Sequence, residues 1–303
     1  MSTEPRPAPA MPEPEIHSHA IRSSGLQGAE GDPSVRFPYW SFTKTVIAIC
    51  ALKMSEDGAL DLDARWGEEP YTLRQLLAHT AGLPDYGRLA QYHRAVADRE
   101  PPWPREKLLD LVLADGLLFK PGAGWSYSNV GYMLAKERIE AAAGQDFSTL
   151  LSDMICKPLG LESIELATTK EQFAGLHWPE AAGYDPGWVY HSCLIGNAPD
   201  AARLLHALFQ GRLLKRRSLD AMLEDRPLGG TLPGRPWTAH GYGLGLMIGT
   251  TGISGRAIGH SGGGPFCVNA VYHFPDRDDP VTVASFTKGS DEGIAEWHAA
   301  RLA

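Results

Sequence analysis

Apolar residues between about positions 41 and 58 recur at helical spacing. Val46, Ile49, Cys50 and Lys53 fall on one helix face, and Gly58 ends the run. Thr72 caps a second helix running through about His79. Pro104 opens a third, carrying Leu108, Leu109, Leu111, Val112 and Leu113. A longer helix follows Asn129 and reaches Ala143 before Gly144. Another covers about 146–156, and Pro199 opens one that ends near Gly211. The last third changes period. Residues 242–248, 256–260, 267–274 and 281–286 read as strands, and Pro275-Asp276-Arg277-Asp278 turns the last two into a hairpin. A short helix from about Asp291 closes the chain. Helices in the middle and strands gathered at the end predict an α+β fold, an antiparallel sheet flanked by helices with an all-helical lobe within about 60–225.

The beginning is different. Residues 1–15 hold five prolines and almost no apolar bulk, so they read as a disordered or strapped-down tail. One weak strand is expected at 16–21. The folded unit is then 16–303, a single catalytic domain.

Composition narrows the function. The 303 residues carry 28 Lys and Arg against 36 Asp and Glu, a net charge of −8. No basic excess exists to neutralise phosphates, which argues against a nucleic-acid partner. The longest apolar stretch, 46–52, is far short of the about 20 residues a spanning helix needs. The start has no basic segment leading into an apolar one, which points to a cytoplasmic protein. Cys50, Cys156, Cys193 and Cys267 are scattered and form no C-x-x-C pair, so they read as small buried hydrophobes. His17 and His19 would need further ligands to hold a metal, and a metal-free chemistry with no cofactor is expected.

Three segments carry candidate chemistry. Ser-Phe-Thr-Lys occurs at 41–44 and again at 285–288. Ser41 precedes a helical pattern, where positions i and i+3 share a face, so Lys44 can reach the Ser41 hydroxyl. A buried lysine there can lose its proton and serve a serine nucleophile. The bland reading of Ser41 is a helix cap. Ser285 ends a strand, where i and i+3 point to opposite faces. The second segment is Tyr127-Ser128-Asn129, behind a Gly/Pro-rich loop. Tyr127 suits a general base if nearby cations lower its pKa, and Asn129 suits a substrate amide or, alternatively, a cap for the next helix. The third is Gly259-His260-Ser261-Gly262-Gly263-Gly264. As His-x-Gly it is a strand that lets substrate backbone approach, with Gly263 and Ser41 N–H groups forming an oxyanion hole. As G-x-S-x-G it matches the nucleophile elbow of an α/β-hydrolase with Ser261 as nucleophile, which needs a helix directly afterwards.

The order S-x-x-K, Y-x-N, H-x-G at 41, 127 and 260 resembles the serine β-lactamase/penicillin-binding-protein superfamily. The likeness is closest to the class C β-lactamase-like branch, with its D,D-carboxypeptidases, D-aminopeptidases and esterases. Supporting segments are Leu76-Leu77-Ala78-His79-Thr80-Ala81-Gly82-Leu83-Pro84-Asp85-Tyr86 and Pro158-Leu159-Gly160-Leu161. The resemblance implies Ser41 as acyl-enzyme nucleophile, Lys44 as its proton partner and Tyr127 as acid/base. It implies Asn129, His260, Ser261 and Gly262 as substrate-binding residues, with Ser41 and Gly263 giving the oxyanion N–H groups. It implies a metal-free serine hydrolase acting on a small ester, amide or peptide, including D-residue peptides. The alternatives are the Ser261 elbow and a non-catalytic penicillin-binding-like module. His260 stands where β-lactamases usually place Lys, which removes a cation for a β-lactam carboxylate. Only 40 residues precede Ser41, so the sheet edge is missing, rebuilt by 16–38, or completed by another chain. Tyr39, Trp40, Trp125, Tyr184, Trp188 and Trp237 divide between core and an acyl pocket, mostly core.

Overall fold

The computed structural model describes residues 14–303; positions 1–13 of the expected tail lie outside the described residues. Eleven strands form: β1 Ile16–Arg22, β2 Gln27–Glu30, β3 Phe37–Pro38, β4 Glu165–Ala167, β5 Cys193–Gly196, β6 Arg226–Gly229, β7 Trp237–Tyr242, β8 Met247–Thr251, β9 Gly255–Gly263, β10 Cys267–Phe274 and β11 Val281–Lys288. Eight of them make one antiparallel sheet in the order β2-β1-β11-β10-β9-β8-β7-β6. The other three make a small sheet, β3-β5-β4, that the hydrophobic pattern did not suggest because its strands are two to four residues long.

The central strands are apolar on both faces, and the period of two explains why. In β10, Val268, Ala270, Tyr272 and Phe274 face the terminal helix Glu292–Leu302, whose Ala295, Ala299 and Ala300 fill the same cluster. Cys267 and Val271 face the larger core, shared with Ala201, Leu204, Leu205 and Leu208 of the helix Ala198–Phe209. Both faces are therefore covered by helices. The four cysteines are buried and unpaired. Among the described residues, no helix is long and apolar enough to cross a membrane.

Two local expectations change, and one left open is decided. Residues 242–248 are two strands, not one. Gly243 N–H closes on Leu246 C=O at 2.9 Å, and Gly245 turns with φ +69°, in a place where a Cβ would lie 2.8 Å from the Lys44 carbonyl. The chain bends there because the helix Thr43–Glu56 lies directly against it. Residues 146–156 are a short helix, Phe147–Leu151, followed by a π turn, Ser152–Cys156. The sheet edge, open at the level of sequence, is rebuilt by the chain itself: β1 pairs along β11 from Ile16↔Thr287 to Arg22↔Val281, and β2 pairs on β1.

Gly259 tests the sheet packing. A Cβ there would lie 1.9 Å from the Val271 carbonyl on the neighbouring strand, whereas one at Gly28 meets open space. Gly259→Ala is expected to destabilise the fold by about 1–3 kcal/mol, and Gly28→Ala by under about 0.5 kcal/mol. Thermal melts of the two variants check this; equal melting temperatures contradict it.

Candidate active site

Ser41 sits on a single turn of 3-10 helix, Trp40–Phe42, just ahead of the long buried helix. It caps nothing: the N-cap position is Phe42 and makes no side-chain bond. Trp40 adopts φ +44°, costly for a bulky residue. What holds it is the glycine run of β9. A Cβ on Gly262 would lie 2.8 Å from the Tyr39 carbonyl, and one on Gly264 would lie 2.2 Å from the Trp40 ring. Asn269 of β10 donates from Nδ2 to the Tyr39 and Pro38 carbonyls at 3.1 and 3.3 Å. Strand and turn are thus clamped together.

Two groups converge on the Ser41 hydroxyl. Lys44 Nζ lies 3.0 Å from Oγ, and the Tyr127 hydroxyl donates to it at 2.8 Å. Lys44 is fully buried and forms no ion pair among the described residues. Its other close neighbours are His191 Nε2 at 3.0 Å and the faces of Tyr127 and Tyr132. Burial pulls its pKa down to about 7. The sequence-based suggestion that cations lower the Tyr127 pKa is overturned. Burial, with Tyr242 adding to it, pushes the phenol well above its ordinary value, so Tyr127 stays neutral and a donor. Lys44 is therefore the group that titrates near neutrality.

Asn129 is not the helix cap. Ser128 is, accepting from Gly131 N–H at 3.0 Å. Asn129 opens the helix Asn129–Ala143 and is held by Asp85, which accepts its backbone N–H at 2.8 Å and its Nδ2–H at 3.2 Å. His79 accepts from Ser128 N–H at 3.1 Å and lays its ring 4.4 Å from that of Tyr127. It fixes the loop rather than reaching the cavity.

His260 and Ser261 line the larger cavity, with their side-chain polar atoms already hydrogen-bonded inside the protein. The Ser261 carbonyl can only accept, so His260 Nδ1 carries the proton, and Nε2 takes the Tyr242 hydroxyl at 3.0 Å. Both ring nitrogens are occupied, and burial with the nearby Lys44 charge pushes the His260 pKa down to about 3. It is a neutral wall. The Ser261 hydroxyl is 2.7 Å from that of Tyr272 and bonds Glu296. It lies inside an uninterrupted strand with no helix after it, so the elbow geometry is absent. In the second Ser-Phe-Thr-Lys copy, Ser285 is buried in β11 and Lys288 pairs with Glu180 at the surface.

Ser41, Asn129, Gly263 and Glu292 line two adjoining cavities. One, of about 450 Å³, is aromatic, with Trp40, Tyr86, Tyr92 and Tyr184. The other, of about 660 Å³, includes Trp125, Tyr242, Met247 and Arg235. Tyr39, Trp188 and Trp237 are core. His17 is joined by Glu15 and His177, ligand atoms within 4.8 Å of one another, but none of the three lines either cavity. His17 Nδ1 already accepts the Asp32 N–H at 3.2 Å, and Glu15 takes His17 and His177 at 3.1 and 2.7 Å, so the group is satisfied as a hydrogen-bonded strap. His191, Arg235 and Glu292 sit in no motif, and Asp85 stands in the 76–86 segment with no role of its own there; only the folded chain brings them into the surroundings of Ser41.

The family model described as Beta-lactamase matches residues 22–303. Penicillin-binding protein 4* of Bacillus subtilis is 27% identical over 262 residues, 76% of this chain and 56% of that protein. Esterase EstB of Burkholderia gladioli is 30% identical over 180 residues, 50% of this chain and 45% of its own length. The chain therefore spans about half the length of these relatives. A solved D-stereospecific amidohydrolase from Streptomyces sp. superposes with a TM-score of 0.75 at 24% identity, covering 93% of each chain. That likeness concerns the fold.

A buried amine 3.0 Å from the Ser41 hydroxyl is expected to make serine reactivity rise with pH as the amine loses its proton. The rate of fluorophosphonate labelling of Ser41 is expected to climb through about pH 7, tracking the Lys44 amine, and then level off. Lys44→Met should abolish labelling near neutrality. A flat wild-type profile between about pH 5 and pH 9 would contradict this assignment.

Proposed function

The chain belongs to the beta-lactamase family, and from that membership we propose that it is a serine hydrolase working through an acyl-enzyme on small esters, amides or peptides. The observation carrying this reading is the double contact at Ser41 Oγ, with Lys44 Nζ at 3.0 Å and the Tyr127 hydroxyl at 2.8 Å. One group is basic near neutrality and the other is held protonated.

The steps follow from those two states. Neutral Lys44 takes the Ser41 proton as Oγ bonds to the substrate carbonyl carbon. Negative charge gathers on the carbonyl oxygen, facing the Ser41 and Gly263 backbone N–H groups. The tetrahedral adduct collapses, the C–O or C–N bond breaks, and Tyr127 gives its proton to the leaving group. With Oγ now esterified, the Lys44 ammonium gives its proton to the neighbouring Tyr127 phenolate, which restores a neutral amine and a phenol. Water then attacks the acyl-enzyme, losing its proton through the same pair, and the acid product departs with Ser41 restored. Asn129, tied to Asp85, holds the substrate beside the turn.

Efficient β-lactam turnover is the weaker reading. A neutral, internally bonded His260 offers no positive charge to the carboxylate such a ring carries.

Intact-mass and peptide mapping after a fluorophosphonate should give a single adduct on Ser41, lost in Ser41→Ala. An adduct on Ser261, or hydrolysis unchanged in Ser41→Ala, would overturn the proposal; no adduct and no hydrolysis would favour a binding module. Tyr127→Phe should keep the adduct but cut ester kcat by about 10²–10⁴.

A further inference from the structure

The cavity wall beside Ser41 carries an anion that the reaction scheme does not use. Glu292 begins the terminal helix and reaches both cavities. Its Oε1 lies against Gly263, at a point 2.9 Å from where a Cβ on that glycine would stand. Its Oε2 is 3.0 Å from Arg235 Nη2.

That arginine is shared between two carboxylates. Arg235 grips Glu296 with a two-pronged pair, Nε to Oε2 at 2.6 Å and Nη2 to Oε1 at 2.5 Å. The Glu296 side chain is 1% exposed, while that of Glu292 is 32% exposed toward the cavities. Arg235 is thus divided between the two glutamates, one guanidinium against two carboxylates. Both Arg235 and Glu292 line the larger cavity, and of the trio only Glu292 also lines the aromatic one. Burial raises its carboxyl pKa, so its charged form lacks compensation that a cation entering the cavity would supply.

An anion here is an obstacle for an uncharged substrate. Negative charge develops on an oxygen beside Gly263 as Ser41 attacks, and Glu292 opposes it. A positive charge on the acyl half of the substrate, near its carbonyl, cancels that opposition and pairs with Glu292.

We propose that Glu292 is the specificity-determining residue of this site, and that it selects acyl groups bearing an ammonium next to the scissile carbonyl, as in amino-acid esters, amides and peptides with a free amino end. This rests on the serine hydrolase reading and deepens it. Uncharged and carboxylate-bearing acyl groups are the disfavoured classes.

The full chain is assayed with three methyl esters of matched size, each as both enantiomers: alanine, lactate, and N-acetylalanine. The alanine ester, with its ammonium, is expected to exceed lactate and N-acetylalanine by about tenfold or more in kcat/KM. Glu292→Gln should remove most of that preference, lowering the rate for alanine ester and raising it for lactate ester. Glu292→Asp should keep the order. Melting temperature and fluorophosphonate labelling of Ser41 report whether each variant is folded. Should the Gln variant not fold, the wild-type ratio and the Asp variant decide. Ser41 labelling and lactate hydrolysis without any alanine preference overturn the inference alone. Preference intact in Glu292→Gln does the same. No labelling and no hydrolysis of any ester overturn the hydrolase reading, and the inference with it.

Discussion

A lysine amine taken wholly out of water, with no carboxylate in contact, sets the terms for everything around it. An ammonium in such a place is expensive, so its proton is held loosely. The neighbours then have to be neutral. His79, His191 and His260 are all buried within the reach of that charge, and their pKa values are pushed down by burial first and by Lys44 next. Tyr127, Tyr132 and Tyr242 remain phenols. The site is a shell of uncharged donors and acceptors built around one titrating amine. Its nearby carboxyls, Asp85 and Glu292, are themselves largely withdrawn from water, and burial raises the pKa of both.

The turn that presents the serine depends on absence of side chains opposite it. Gly262 and Gly264 leave room for Tyr39 and Trp40, while Gly263, on the alternate face, leaves room for Glu292. A three-glycine run in a strand is poor packing in isolation. Here it lets the strained backbone at Trp40, the Ser41 turn and a carboxylate all lie against β9 and the residue after it, and Asn269 supplies the hydrogen bonds that keep the strained turn in place.

Much of this was legible in the chain. The strands over 267–274 and 281–286 were visible because both of their faces are buried, which leaves an unbroken apolar run. Ser41, Lys44, Tyr127 and Asn129 stood out through spacing and loop context, and the fold brings all four to one point. Other features left no local mark. β6 is exposed and carries Pro227, so nothing in its sequence reads as sheet. His191 resembles any buried histidine until Lys44 is found beside it. Glu292 resembles any helix-opening acid until β9 is laid against it. The state of Tyr127 was misread because spacing indicates nearness and says nothing about burial.

The clamp between turn and strand has a consequence in time. Tyr39 and Asn269, which share a hydrogen bond, are 230 positions apart, and β1 finds its only inner neighbour in β11. During synthesis the asparagine that holds the serine-bearing turn emerges 230 positions after the tyrosine it binds. Non-local pairings of this kind close slowly. The surroundings of Ser41 therefore form only when β9 and β10 join the sheet, long after the turn that carries the serine has been made.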